Sequence, residues 1–366
     1  MKARGAWADR GARAMAAAGA FVLAACAAGP PRVLRLEIDP ARAMRTWPHA
    51  PEVPRYRHEG TLLGEANYLA PGEAAKPAWR SALEWAAGLG EGRDPVDELL
   101  RPAGGASEGC GRIVVSDPGR GGVFAFRPEG GPEILEFATG SRRFVSPTGI
   151  ACGPGGSLFV ADSALGYVVE FDEKGGLRRQ VGAGILRRPT GLAFDRERAE
   201  LYVADTASHD VKVFDAGGRL LRRIGGRGEA PGEFNFPTHL WFRAGDLYVS
   251  DTMNGRVQVF ARGASQPRLV VGSRGLNVGQ LVRPKGVATD SAGNIYVVES
   301  YYDHLLVYDR EGRFLLPIGG LGQDAGQFYL PAGLWVDERD RVFVADMFNG
   351  RVVVLQFLGG EADGQP

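Results

Sequence analysis

Leu201-Tyr202-Val203-Ala204-Asp205, followed after a short turn by Val211-Lys212-Val213-Phe214-Asp215, is the stretch that decides the fold. Both runs are β-branched and aromatic residues bounded by turn formers, which is the composition of short strands. The pair recurs as Val342-Phe343-Val344-Ala345-Asp346 with Val352-Val353-Val354. Working outward, each pair is preceded by proline, any residue, glycine and a short apolar strand. It is followed by a fourth strand closed by glycines. The prolines are Pro102, Pro147, Pro189, Pro237, Pro284 and Pro331, and the acids ending the second strands are Asp117, Asp162, Asp205, Asp251, Glu299 and Asp346. Successive acids stand 43 to 48 residues apart. Two independent landmarks thus define the same six units, and a period of this length marks a repeat architecture.

A single four-stranded sheet cannot bury both of its faces, whereas six packed radially can, leaving only short outer edges. The expected fold is therefore all-β, a six-bladed β-propeller over residues 101–358. The 54 glycines among 366 residues suit the many turns that need positive φ. Arg178-Arg179 and Arg222-Arg223 fall on outer strands and Pro317 interrupts another, the usual defence of an exposed edge; the arginines read as solvated. The sixth unit has three strands, to about Phe357, before a polar tail over 359–366. Residues 55–63, whose Gly-rich ending matches those of other fourth strands, are expected to cross over and complete that blade. Ala78 to Leu89, with Trp79, Leu83 and Ala87 on one face, reads as a short helix outside the ring. Residues 26–54 read as a tether with little regular structure beyond one strand near Val33–Ile38.

The Pro-x-Gly, Tyr-Val-Ala-Asp-Thr, Val-x-Val-Phe-Asp pattern resembles the NHL repeat and covers about Pro102 to Phe357, all six blades. Phe234–Phe242, with Thr252-Met253-Asn254-Gly255-Arg256, is similar to bacterial NHL-repeat lipoproteins. WD40 repeats are disfavoured, because their Gly-His and Trp-Asp signature is missing. The N-terminus agrees with the lipoprotein resemblance. Lys2, Arg4, Arg10 and Arg13 precede an apolar run from Ala14 to Ala25 that is too short to span a bilayer, so residues 1–25 read as a secretory signal. The ending Leu23-Ala24-Ala25-Cys26 resembles a lipobox, which implies cleavage before Cys26 and its acylation; Ala27 implies an outer-membrane address. The expected location is the cell envelope, on the outer membrane facing the periplasm. Cys110 and Cys152 would then sit in an oxidising compartment. A disulfide and two unpaired small residues both fit the sequence.

Lysine plus arginine equals aspartate plus glutamate at 43 each, so the cationic excess that draws a protein to nucleic acid is missing, and no nucleic-acid partner is expected. The six acids tempt a metal-ring reading, but an acid at the start of a tight turn more simply bonds local backbone. Function is expected where the repeat breaks, on loops held by a rigid scaffold. In a propeller the loops between second and third strands share a face with the connections between blades. His209, Met253, Tyr301, Tyr302, His304 and Phe348 fall there, with His239 replacing a repeat glycine near the axis and Glu299 replacing the repeat aspartate. This set is the expected binding face, for an envelope protein or other ligand, with no catalytic residue, metal or cofactor.

The resemblance also supplies an alternative, a metal-dependent lyase or hydrolase in the channel. NHL propellers of the amidating-lyase type hold zinc through three histidines; here His209, His239 and His304 are the ring's only histidines, and His239 alone is expected near the axis. Propellers of the gluconolactonase or paraoxonase type hold calcium through carboxylate and asparagine oxygens, whereas these first strands begin mostly with glycine.

Overall fold

The computed structural model describes residues 31–36, 45–70 and 98–359. The expected helix at 78–89, the signal at 1–25, Cys26 and most of the polar tail lie outside these residues. No helix among the described residues is long and apolar enough to cross a membrane.

Six antiparallel sheets stand around one axis. Blade 1 runs Gly104–Ala106, Ile113–Asp117, Gly122–Phe126 and Pro132–Leu135; blade 3, typical of the rest, runs Pro189–Asp195, Glu200–Asp205, Asp210–Phe214 and Leu220–Ile224. Blades 2, 4 and 5 begin at Pro147, Pro237 and Pro284. First strands of consecutive blades touch all the way round, and that of blade 6 (Pro331–Val336) meets that of blade 1, closing the ring. Second and third strands are buried along nearly their whole length on both faces. This is why they read as unbroken apolar runs rather than alternating ones.

The repeat glycine has a direct physical cause. A Cβ on Gly149 would lie 2.0 Å from the Thr190 carbonyl oxygen, and one on Gly333 would lie 2.5 Å from that of Ala103. Neighbouring first strands converge on the axis backbone to backbone, so this position tolerates no side chain in most blades. Only blade 4 places a large one there, His239.

Tyr56–Leu62 pairs with Arg351–Phe357, with Val352 opposite Leu62 and Phe357 opposite Tyr56, so the N-terminal segment supplies the fourth strand of blade 6. Tyr56 and Leu62 are buried, and each such side chain contributes roughly 1.5–3 kcal/mol. A fifth strand, Thr46–Trp47, adds outside it, and Trp47 packs into the cluster around Tyr296 and Phe328. The tether is thus more structured than expected, since two residues are too few to show periodicity. Nearer the N-terminus only Val33–Leu34 is a strand, paired with Tyr68–Leu69.

The outer arginines differ from the solvated reading in alternate positions. Arg222 binds the buried Glu200 through two hydrogen bonds, 2.9 and 2.6 Å, and lies over the Tyr202 ring; Arg179 pairs with the buried Glu170. Arg178 and Arg223 are the more exposed members, although Arg178 also reaches Glu170 at 3.4 Å. Cys110, between the first two strands of blade 1, forms a disulfide with Cys152, which ends the first strand of blade 2; their Cα atoms are 5.4 Å apart.

Candidate functional site

Pro237 pairs with Asp251 across the first two strands of blade 4, as Pro284 does with Glu299 in blade 5. The starts of first strands therefore share one face with the turns between second and third strands. The six acids work at that junction. Asp205 accepts the backbone N–H groups of Arg187 and Arg188, Asp251 that of Asn235, and Asp346 that of Tyr329. Each acid clamps the connection arriving from the previous blade, besides holding its own turn. Their structural reading survives, with a partner that local spacing could not reveal.

Glu299 does the same with one more methylene. It accepts N–H bonds from Val282, Arg283 and Tyr301 at 2.8 to 3.0 Å and is buried. Burial raises its pKa, with the three amides opposing. Its carboxylate lies beneath the expected binding face, with both oxygens used. His209 is also buried; held in a left-handed turn at φ 57°, it accepts the Phe236 N–H on Nδ1 and packs 4.3 Å from that ring. His304 is half-buried and, with Tyr302, Leu276 and Val278, lines a cleft of about 160 Å³ between blades 4 and 5.

The remaining residues are brought together at the surface. Tyr301 is 54% exposed and Phe348 48% exposed. Tyr302 meets Tyr301 edge-on at 4.9 Å, and Phe348 contacts Tyr329 at 5.4 Å and the Arg101 guanidinium at 5.5 Å. Met253 and Phe236 are also exposed. Sequence reasoning missed Phe236 and Tyr329, which precede their blades' first strands by one and two residues. The signal available was that both are large and aromatic where the repeat carries no fixed residue.

Of these side chains, Phe236 and Met253 line a channel mouth of about 610 Å³. His239 projects into it from blade 4. Its ring bonds Thr238 Oγ1 through Nδ1 at 3.0 Å and the Ala103 carbonyl of blade 1, on the opposite side of the ring. Burial, with Lys285 nearby, pushes its pKa down to about 3, so the imidazole is neutral. The unfolded chain therefore binds the extra proton between pH 6.5 and about 3, and His239 costs stability as pH falls through that window. The Tm advantage of the wild type over His239→Gln should shrink from pH 6.5 downward in thermal melts; a pH-independent difference would contradict this assignment.

The mouth is lined by Lys285, Arg188 and Arg283 and by no carboxylate among the described residues. The opposite end of the channel, about 580 Å³, differs. There Arg262 pairs with Asp195 and Glu197, Arg243 bonds the Thr289 carbonyl, and Arg196 bonds those of Glu108 and Cys152. No cluster of three histidine, cysteine, aspartate or glutamate side chains converges among the described residues.

The fold is a six-bladed β-propeller, similar to those of NHL-repeat proteins. A family model described as a 6-bladed beta-propeller matches residues 196–262. The chain is similar to protein brain tumor of Drosophila melanogaster, 27% identical over 156 residues, which are 42% of this chain and 14% of that protein. It is also similar to NHL repeat-containing protein 2 of Gallus gallus, 30% identical over 150 residues, 32% of this chain and 21% of that protein. The matches therefore span about a fifth or less of these relatives' length. Among solved structures, a gluconolactonase from Xanthomonas campestris superposes with a TM-score of 0.55 at 19% identity, covering 70% of this chain and 86% of that one. At that identity the likeness is one of fold.

Proposed function

We propose that this propeller is a non-catalytic binding scaffold of the cell envelope, anchored through an acylated Cys26, which engages a protein or other ligand through the face bearing Tyr301, Tyr302, Met253 and Phe348. The observation that carries the reading is the set of exposed aromatic side chains on the turns of one face. Rigid aromatic side chains on an exposed platform supply large contact area at little entropic cost. The Cys110–Cys152 disulfide supports an oxidising compartment, in keeping with export. Against a metal-dependent reaction at His239 stand two features: its ring is held by Thr238 and the Ala103 carbonyl, and the charges lining the mouth are cations, which repel a divalent ion.

Photo-crosslinking residues placed at 301 or 348 in the native cell should capture a discrete partner, and one placed at 197, on the opposite face, should not. Changing Tyr301 and Tyr302 together to alanine should reduce that capture at least about tenfold, as for interface anchors, with Tm nearly unchanged. Equal capture from both faces would sink the site assignment. Stoichiometric zinc or calcium in purified protein, lost in His239→Ala, would overturn the non-catalytic reading.

A further inference from the structure

At one position of the fold, charge is left without a partner. The residue between the repeat proline and glycine faces the channel mouth in every blade. It is Ala103, Thr148, Thr190, Thr238, Lys285 and Ala332 in blades 1 to 6. The threonines of this series join blades: Thr148 Oγ1 donates to the Thr190 carbonyl at 3.3 Å, Thr190 to that of Thr238 at 2.8 Å, and Thr238 bonds the Thr252 hydroxyl at 2.6 Å, which in turn donates to the Pro284 carbonyl. Lys285 breaks this series. Its ammonium makes no hydrogen bond or ion pair among the described residues, and neither do the guanidinium groups of Arg188 and Arg283, which stand just before Pro189 and Pro284. Burial together with these two arginines lowers the Lys285 pKa.

Three like charges gathered at a cavity with no acid are an unfavourable arrangement for the empty protein. Elsewhere the molecule avoids it: the arginines at the far end of the channel are all engaged, and buried Lys212 sits between two aspartates. The natural complement is a ligand with charge of the opposite sign. We propose that the channel mouth binds a small oxyanion, a multivalent carboxylate or a phosphate, held between Lys285, Arg188 and Arg283. The ligand's oxygens take N–H donors from the ammonium of blade 5 and from guanidinium groups on blades 3 and 5. The neutral His239 forms the floor, and the exposed Phe236 and Met253 of blade 4 form an apolar wall. This goes beyond the scaffold reading and does not depend on it, because the site is complete without any partner on the aromatic face.

The test uses the folded, disulfide-bonded chain with citrate and inorganic phosphate as separate probes in calorimetric titration, beside Lys285→Thr, which restores the threonine of blades 2 to 4. At least one probe should bind with one-to-one stoichiometry and raise Tm. Loss of one charge-assisted hydrogen bond should weaken it about tenfold or more in Lys285→Thr. Without anion, the same variant should melt above the wild type, because a repelled, desolvated cation has been removed; saturating probe should erase that advantage. Arg188→Met should weaken binding as well, and Arg142→Met, on a distant edge, should not. Citrate binding without phosphate binding identifies carboxylate as the class, and the converse identifies phosphate. Binding of neither probe at millimolar concentration, or binding unchanged in Lys285→Thr, overturns the proposal.

Discussion

Replacing Lys212 with methionine is expected to destabilise the propeller by about 3–5 kcal/mol, the cost of leaving buried charge uncompensated. Its Nζ lies 2.7 Å from Asp205 Oδ2 and 2.6 Å from Asp210 Oδ1, and all three side chains are nearly inaccessible. Methionine conserves volume, so the loss would not arise from a cavity. The two acids are not equivalent. Asp205 keeps the N–H groups of Arg187 and Arg188 and the Ser208 hydroxyl, whereas Lys212 is the only side-chain partner of Asp210 among the described residues. Burial already raises the Asp210 pKa, with Lys212 as the main opposing influence. Removing the lysine raises it further. A carboxyl whose folded pKa lies above its unfolded value weakens the fold at neutral pH, and the cost is relieved as pH falls through that folded value toward the unfolded one. The deficit should therefore shrink on acidification, and Asp210→Asn added to Lys212→Met should recover most of it. Asp205→Asn should not, because it weakens the clamp on the incoming connection. Urea denaturation of the three variants beside the wild type decides this; a Lys212→Met loss below about 1 kcal/mol, typical of an exposed pair, would refute the burial argument.

Blade 4 shows why this triad was hard to foresee. Asp251 there receives Arg256 Nε at 2.8 Å and Gln258 Nε2 at 3.2 Å. By register Asp210 occupies the place of Arg256, and Lys212 that of Gln258. Blade 3 thus carries an acid where blade 4 carries the cation, and the neighbouring position supplies the compensating charge. In sequence, Ser-His-Asp-Val-Lys-Val against Asn-Gly-Arg-Val-Gln-Val reads as loss of the motif, although the electrostatics are kept.

The same distinction separates what could be read from what could not. Blade number, strand order and the crossover of residues 55–63 follow from features that repeat: prolines opening first strands, acids ending second strands, glycines where backbones converge. The clamps run from Asp205 or Asp346 to amides 17 or 18 positions upstream, too far for local turn chemistry to indicate. Among the candidate residues, exposure had to be learned from the structure. Tyr301, Tyr302, Met253 and Phe348 emerge at the surface, while Glu299 and His209 serve the backbone. Net charge concealed the cationic mouth, because the chain balances 43 against 43 while its ion pairs concentrate elsewhere. Aligning the residue between proline and glycine would have exposed Lys285, since that position is otherwise alanine or threonine.

Removing the disulfide should have an effect comparable to that of Lys212→Met. Cys110 and Cys152 are 42 positions apart, and closing a loop of that length in the unfolded chain is worth about 4 kcal/mol on the chain-entropy account. Cys110→Ala with Cys152→Ala is expected to lower stability by roughly that amount in urea denaturation, and the wild type treated with reductant should match the double variant. The staple is local: it ties blade 1 to blade 2 at the face opposite the aromatic set, beside the Arg196 bonds to Glu108 and Cys152. The ring's seam, where Tyr56–Leu62 meets Arg351–Phe357, is held without covalent help. Tyr301 and Tyr302 crosslinking should consequently persist in the double variant at temperatures where it remains folded, separating stability from recognition. A double variant within about 1 kcal/mol of the wild type would show that the unfolded chain is already held compact in this region, and the entropic account would fail.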